Sequence, residues 1–566
     1  MLQNKTRFFR PTWKQLLPWL WLAAAYLAAV AFCVVYGRAY LDSDMASEMV
    51  LADLLNQEGG LLSMNWYYST EIRVVYQQLV FRLGLLLFPE NWPAARVFGQ
   101  AIMLALMAAG YLYFSYGAGA KRSAPWGAGA ILLPFGFWQM FLVTFGGSYL
   151  PHIIFALFSA GLVLRLAQPA PLWRTGLRLL VLAGIAGVSG LNGVRLLMNL
   201  YLPLAVATVV LLVVRVHTEP QALTQLRRPE WRMTLAAFAA AAVSAVGYLL
   251  NIKVLAPTHH FTSFEDRYWT DLSLNELLNT WSGFLSLFGY QSDNAVASRN
   301  TNQTLPQLFS LRGILCLCGL AMAFAVIAAA VTLLRRWKRL TFGQQVVTAL
   351  FFSILVVDGM IFALTSGSHG DNCSYWVPVL PFAIALLEAA WATADFHLPA
   401  TRWCAAVLAS LCLLGSSTAT VRQYLAEPLR GNPTIQTVCQ WLLDNGYTEG
   451  YASFWDSNVL TELSSGEIEC WTVATVQNMS IYPWLQKTSH TAQPPQGQVF
   501  VLIGPDDKVA DLSTLPYVAE DGSNIAYRDD AGFTILIFDS ADEIYTALDE
   551  AWAAEAEAQA ETEAGA

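Results

Sequence analysis

The sequence predicts a polytopic α-helical membrane protein of about eleven transmembrane helices, followed by a small α/β domain. Three observations predict it. Charged residues make up 13 % of the chain and hydrophobic ones 55 %, whereas soluble proteins carry roughly 25 % charged residues. Apolar runs long enough to cross about 30 Å of hydrocarbon recur up to the region of residue 420. Beyond it they give way to short segments of strand-like composition, punctuated by Gly, Pro and Asp.

In chain order, candidate spans lie at 16–36, 94–117, 125–145, 149–166, 177–192, 196–215, 233–252, 312–334, 344–365, 375–394 and 401–420. Basic residues orient them. Lys5, Arg7, Arg10 and Lys14 precede the first span and put the N-terminus in the cytoplasm. With that start Lys121, Arg122, Arg165, Arg174, Arg178, Arg227, Arg228, Arg232, Arg335, Arg336, Lys338, Arg339 and Arg402 all fall inside. An odd number of spans leaves the C-terminal part outside. The first span is too long for a secretory signal and reads as an uncleaved anchor. "VVYQQLVFRLGLLLF" (74–88), closed by Pro89, is too short to span and reads as an interfacial or re-entrant helix. Cys33, Cys316, Cys318, Cys404 and Cys412 fall in spans as small apolar side chains. Cys373, Cys439 and Cys470 lie outside, where a bridge between Cys439 and Cys470 is one arrangement open to them.

The membrane portion therefore covers 1–420, with a long first external loop at 37–93. An extracytoplasmic α/β domain follows at 421–548, read from a helix over 433–446 and strands "YASFW", "EIECWTV", "QVFVLIG" and "FTILIFD". The Ala/Glu-rich end, 549–566, is predicted to be a disordered acidic tail. Net charge is −9. That excess is local to the end of the chain: Asp539, Asp542, Glu543, Asp549, Glu550, Glu555, Glu557, Glu561 and Glu563 have no Lys or Arg among them. Nothing in this balance suggests a nucleic-acid partner, and no internal repeat is visible.

"YLDSDMASEMV" (40–50) opens the first external loop with Asp42, Asp44 and Glu48. A helix over "MASEMVLADLLNQ", closed by Gly59-Gly60, would put Asp44 and Glu48 on one face. Two readings of the trio stand. One is helix capping, for which a single residue of Asp42, Ser43 and Asp44 suffices. The other is a carboxylate held at the membrane surface as general base or metal ligand. Further ionisable groups map to the same side: His152, His259, His260, His369 and His490, with Arg73 closing "NWYYSTEIR". Arg195, after the Asn192-Gly193 turn, lies just inside the outer leaflet, where it either serves function or snorkels to the interface. The loop "KVLAPTHHFTSFEDRYW" adds Lys253, Glu265, Asp266 and Arg267, without the spacing of a standard metal motif. Asp358 is a proton-relay residue or a helix–helix contact. No phosphate-binding Gly loop, Walker motif, dinucleotide fingerprint or nucleophile elbow occurs in a suitable strand context. Chemistry on the outer face would therefore need a donor carried in lipid.

The cytoplasmic N-terminus, "YLDSDMASE" after the first helix, the many spans and the external C-terminal domain together resemble the GT-C glycosyltransferases of bacteria. That superfamily includes protein O-mannosyltransferases, aminoarabinose transferases and oligosaccharyltransferases. The resemblance implies that an Asp of the first external loop, Asp42 or Asp44 here with Glu48 beside it, acts as base or metal ligand. "SYWVPVLPF" (374–382) is similar to a late-helix Arg-Tyr-x-x-Pro pattern, with Ser374 in place of the Arg. Contacts to the donor phosphate are then sought from Arg195, Arg73, Lys253 and His369. Any divalent metal ion would draw on Asp44, Glu48 and His259. What the resemblance implies is inverting transfer of a hexose-type sugar from a polyprenyl-phosphate carrier to a hydroxyl of an envelope glycan or protein. It also implies residence in the bacterial cytoplasmic membrane, among its lipids. Two other classes stay open: a transporter using Asp358, Glu388 and Arg195, and a non-catalytic scaffold displaying the external domain.

Overall fold

The computed structural model describes residues 12–69, 72–134, 136–146, 149–261, 269, 273–288, 310–365, 373–394, 399–424 and 434–564. The main helices are α1 (Trp13–Tyr36), α2 (Ser43–Glu58), α3 (Gln77–Leu87), α4 (Trp92–Gly117), α5 (Leu150–Leu166) and α6 (Leu172–Leu191). They continue with α7 (Leu202–Thr218), α8 (Pro229–Leu250), α9 (Leu311–Arg335), α10 (Phe342–Leu364), α11 (Leu380–Thr393) and α12 (Pro399–Tyr424). Among the described residues nine helices are long and apolar enough to cross a membrane, which makes the chain an integral membrane protein.

Two expected spans take other forms. The stretch 149–166 is α5, 17 residues long, slightly short of the roughly 20 that a straight crossing uses. The stretch 125–145 is broken: a helix Ala124–Ala130 stops before Pro134 and Gly136, and helix resumes at Phe137 and widens into π-turns over Met140–Phe145. The run 74–88 forms α3, only 11 residues long, as expected of a segment that does not cross.

The C-terminal part adds α13 (Ile435–Asp444), α14 (Phe454–Leu463) and α15 (Ala541–Ala564) around a five-stranded sheet. Two short strands in the membrane portion, β1 (Tyr67–Tyr68) and β2 (His260–Phe261), pair in parallel. The sheet comprises β3 (Glu449–Ser453), β4 (Glu469–Val473), β5 (Val499–Ile503), β6 (Ile525–Arg528) and β7 (Thr534–Phe538), in the order β4-β3-β5-β7-β6. The first three strands run parallel and β7 joins antiparallel. Every residue of β5 is buried, because both faces are covered: Val438, Leu442 and Leu460 on one side, Ile544 and Leu548 on the other. Cys439 and Cys470 are both free thiols in the first of these layers, so no bridge joins them.

One expectation is corrected. The acidic tail is not disordered through 564 but continues as α15, because Ala and Glu are strong helix formers even without packing. From Trp552 to Ala560 it is exposed all round.

Candidate active site

Asp42 starts α2. Its Oδ1 accepts the Met45 N–H at 2.8 Å, the bond that defines an N-cap. The helix ends where Gly59 and Gly60 take positive φ of 82° and 79°, a conformation that Gly adopts without strain. Between these ends α2 packs against α3 and α14, and most of it is buried. The segment between α1 and α4 thus carries a buried helix wedged between the membrane portion and the sheet domain.

The three carboxylates divide the work. Asp42 is the cap. Burial first, then repulsion from Asp44, raises its carboxyl to about 7 against the pull of Met45 N–H and Arg96. Glu48, one turn below Asp44, is buried and its Oε1 accepts from Arg73 Nη1 at 3.1 Å. Burial raises its carboxyl too, with Arg73 opposing. Asp44 is reached by water yet walled in by protein, as a side chain lining a recess is. That crowding lifts its carboxyl above the ordinary aspartate range while Arg73 pulls it back. On its other side Asp44 lies within electrostatic reach of Tyr482, from the sheet domain.

A run of three rings with a guanidinium at each end leads away from this shelf. The Arg73 guanidinium lies 4.8 Å from the Tyr76 ring centre, Tyr76 is 5.3 Å from the His152 ring, and His152 is 6.3 Å from Tyr149. Arg195 closes the run at 4.8 Å from Tyr149. Tyr76 is buried and feels Arg73, Arg195 and Glu48 together, so shelf and ladder are one site. Such cation–ring contacts hold a guanidinium without neutralising it.

Two asparagines fix the loop that carries Arg73 and Tyr76. Asn192 caps the end of α6. Its Oδ1 accepts from Val75 N at 3.0 Å and its Nδ2 donates to Val75 O at 2.7 Å. Asn251 Nδ2 donates to Ile72 O at 2.7 Å and to Leu191 O at 2.6 Å. Both asparagines are buried, and the backbone groups they satisfy would otherwise lack partners in a non-helical stretch. Each amide thus substitutes for secondary structure.

The sheet domain docks on the same helix. Arg96 of α4 makes a two-pronged ion pair with Glu462 of α14, and its Nη2 also donates to Met45 O at 2.8 Å. The pair is nearly sealed, with side-chain exposures of 8 % and 2 %. Asn458 Nδ2 donates to Ser43 Oγ at 3.2 Å. A cleft of about 660 Å³ lies beside this junction, lined by Val34, Arg38, Phe88, Arg96, Phe98 and Glu462 among others.

The structure thus brings together Asp42, Asp44, Glu48, Arg73 and Arg195. It leaves others apart. Lys253 is exposed on the π-turn Asn251–Leu255. His259 bonds to Leu255 O at 3.0 Å and sits edge-on to Tyr68. His369, Glu265, Asp266, Arg267 and the Ser374 side chain lie outside the described residues. Glu388 accepts from Gly127 N at 3.1 Å, a helix–helix contact. Among the described residues no three His, Cys, Asp or Glu side chains gather as metal ligands would, and Glu48 is already paired with Arg73.

No family model and no curated protein sequence matches this chain. Solved structures do. ArnT from Cupriavidus metallidurans bound to undecaprenyl phosphate aligns at a TM-score of 0.52 and 13 % identity, over 91 % of this chain and 98 % of that one. Its apo state aligns at 0.51 and 13 %, over 92 % and 99 %. The chain shares its fold with ArnT. At this identity the likeness speaks for the fold and leaves the chemistry to the site.

Proposed function

We propose that this protein transfers a sugar from a polyprenyl-phosphate donor to a hydroxyl of an envelope glycan or protein, at the outer face of the cytoplasmic membrane. One observation carries the reading: a water-reached carboxylate, Asp44, stands beside the Arg73 guanidinium, and one buried tyrosine, Tyr76, joins Arg73 to a second guanidinium, Arg195. Transfer needs those parts. Asp44 takes the proton as the acceptor oxygen bonds to the anomeric carbon. The bond from that carbon to the phosphate oxygen breaks, and its electron pair leaves on the carrier phosphate. The guanidiniums offset the charge that builds there. Attack opposite the leaving group inverts the anomeric centre. Glu48 holds Arg73 toward the reacting groups. ArnT, which aligns with this chain over nearly its whole length and was solved bound to undecaprenyl phosphate, supports a prenyl-phosphate donor.

Arg195 tests the donor half. Arg195→Lys keeps the charge but loses the forked donor geometry, so turnover of a lipid-linked donor should fall with the fold intact. Arg195→Gln should fall further, by roughly 10²-fold or more, as for other transition-state donors. Normal turnover by the Arg195→Gln protein removes Arg195 from the mechanism.

The topology completes the proposal. Because α14 packs on α2, the sheet domain and the first loop share a side. The basic loops assign that side to the exterior. A single cysteine introduced at Ser513, on the exposed surface of the sheet domain, should react with a membrane-impermeant maleimide in intact cells, and one at Thr224 should not. The opposite labelling pattern inverts the protein and ends the reading.

A further inference from the structure

Resting on the donor reading above, we propose that His152 is an additional ligand of the carrier phosphate, donating an imidazole N–H between Arg73 and Arg195. His152 stands in the first turn of α5. It is 1 % exposed, and neither of its ring nitrogens has a hydrogen-bond partner among the described residues. A neutral imidazole always carries one N–H donor and one lone-pair acceptor. Burying both without partners leaves their desolvation uncompensated, which proteins rarely tolerate outside a functional site.

The surroundings specify what is missing. Tyr76 and Tyr149 flank the ring at 5.3 and 6.3 Å. The charges acting on it are Arg195 and Arg73, both cations. A cationic ligand would be repelled here, and an anionic one attracted. An anion with several acceptor oxygens suits a donor ring set between two guanidiniums, and a phosphate is such an anion. The N-terminal end of α5 adds a favourable field for negative charge. Sequence alone placed His152 on the outer side but gave no sign of its isolation. That isolation exists only because the two tyrosines, from different segments, close around it.

The test is binding of undecaprenyl phosphate to purified protein in lipid nanodiscs. His152→Phe keeps an aromatic ring between the tyrosines and removes both polar nitrogens. Its affinity should fall about 10-fold or more, as for loss of a hydrogen bond to a charged group. The melting temperature without ligand should hold or rise, because an unpaired buried polar group is gone. His152→Gln retains an N–H donor and should recover most of the affinity. His152→Leu serves as a second donor-free variant should the Phe protein fail to fold. Wild-type and donor-free proteins binding equally well would overturn the assignment of His152 alone. Failure of the wild type to bind undecaprenyl phosphate would sink the donor reading and this inference with it.

Discussion

Asp44→Asn protein should lose activity by roughly 10²–10⁴-fold, the usual contribution of a positioned general base, while its melting temperature stays nearly unchanged. The amide keeps the shape of the carboxyl and cannot accept the acceptor's proton. Stability holds because the cap of α2 is Asp42, whose Oδ1 bonds Met45 N. Asp42→Ala should show the converse, a loss of about 1 kcal/mol with chemistry retained in the folded fraction. Asp42→Asn, which still caps, separates charge from capping by pH. Folded Asp42 keeps its proton up to about 7, against 3.8 for the ordinary group. Across that window the folded state holds a proton that the unfolded chain has released, so stability falls as pH rises through it. Asp42→Asn removes this slope. Melting curves and donor turnover across pH 4–9 decide the matter. Full activity in Asp44→Asn would show that Asp44 does no chemistry.

Glu462→Ala should cost about 3–5 kcal/mol, the usual penalty for stranding one member of a buried ion pair. Arg96 has a side-chain exposure of only 8 %, on the wall of the cleft, and Met45 O alone cannot satisfy it. Because Arg96 also holds Met45, the damage reaches the turn that carries Asp42 and Asp44, and activity should fall as well. The double variant Arg96→Met/Glu462→Leu should be more stable than either single truncation, since it removes the stranded charge. Denaturant titration in micelles measures this. A loss below about 1 kcal/mol in Glu462→Ala would mean that water enters the junction and the pair behaves as an exposed one.

Much of this was legible in the sequence, and the physics explains which parts. Long apolar runs and flanking Arg and Lys declare spans directly, because the bilayer imposes length and charge rules on each helix separately. Asp42, Asp44 and Glu48 stood out because three carboxylates after an apolar run are costly unless used. The helix α14 was hidden because "YASFW" reads as continuous strand, although Ser453 with Asp456 three residues on has the pattern of a helix start. Strand β6 was missed because it is a short edge segment with an alternating half-buried pattern. Lys253 and His259 matched the site in charge and sidedness but not in position, which depends on where the π-turn Asn251–Leu255 points them. Asn192, Asn251, Arg96 and Glu462 act across long sequence separations, and no local pattern announces a residue whose partner is so distant.

The Arg96–Glu462 pair has a consequence for the making of the protein. Its two members are 366 residues apart, so Arg96 and the loop beside it leave the ribosome long before α14 exists. During synthesis the first external loop must wait, with Arg96 solvated or held by other partners, until almost the whole chain has followed. Only when α14 arrives on the same side can the turn bearing Asp44 take its final form. The loop bearing Asp44 is therefore among the first segments made and among the last completed, which in the proposed function keeps a half-built chain from acting on lipid-linked sugars.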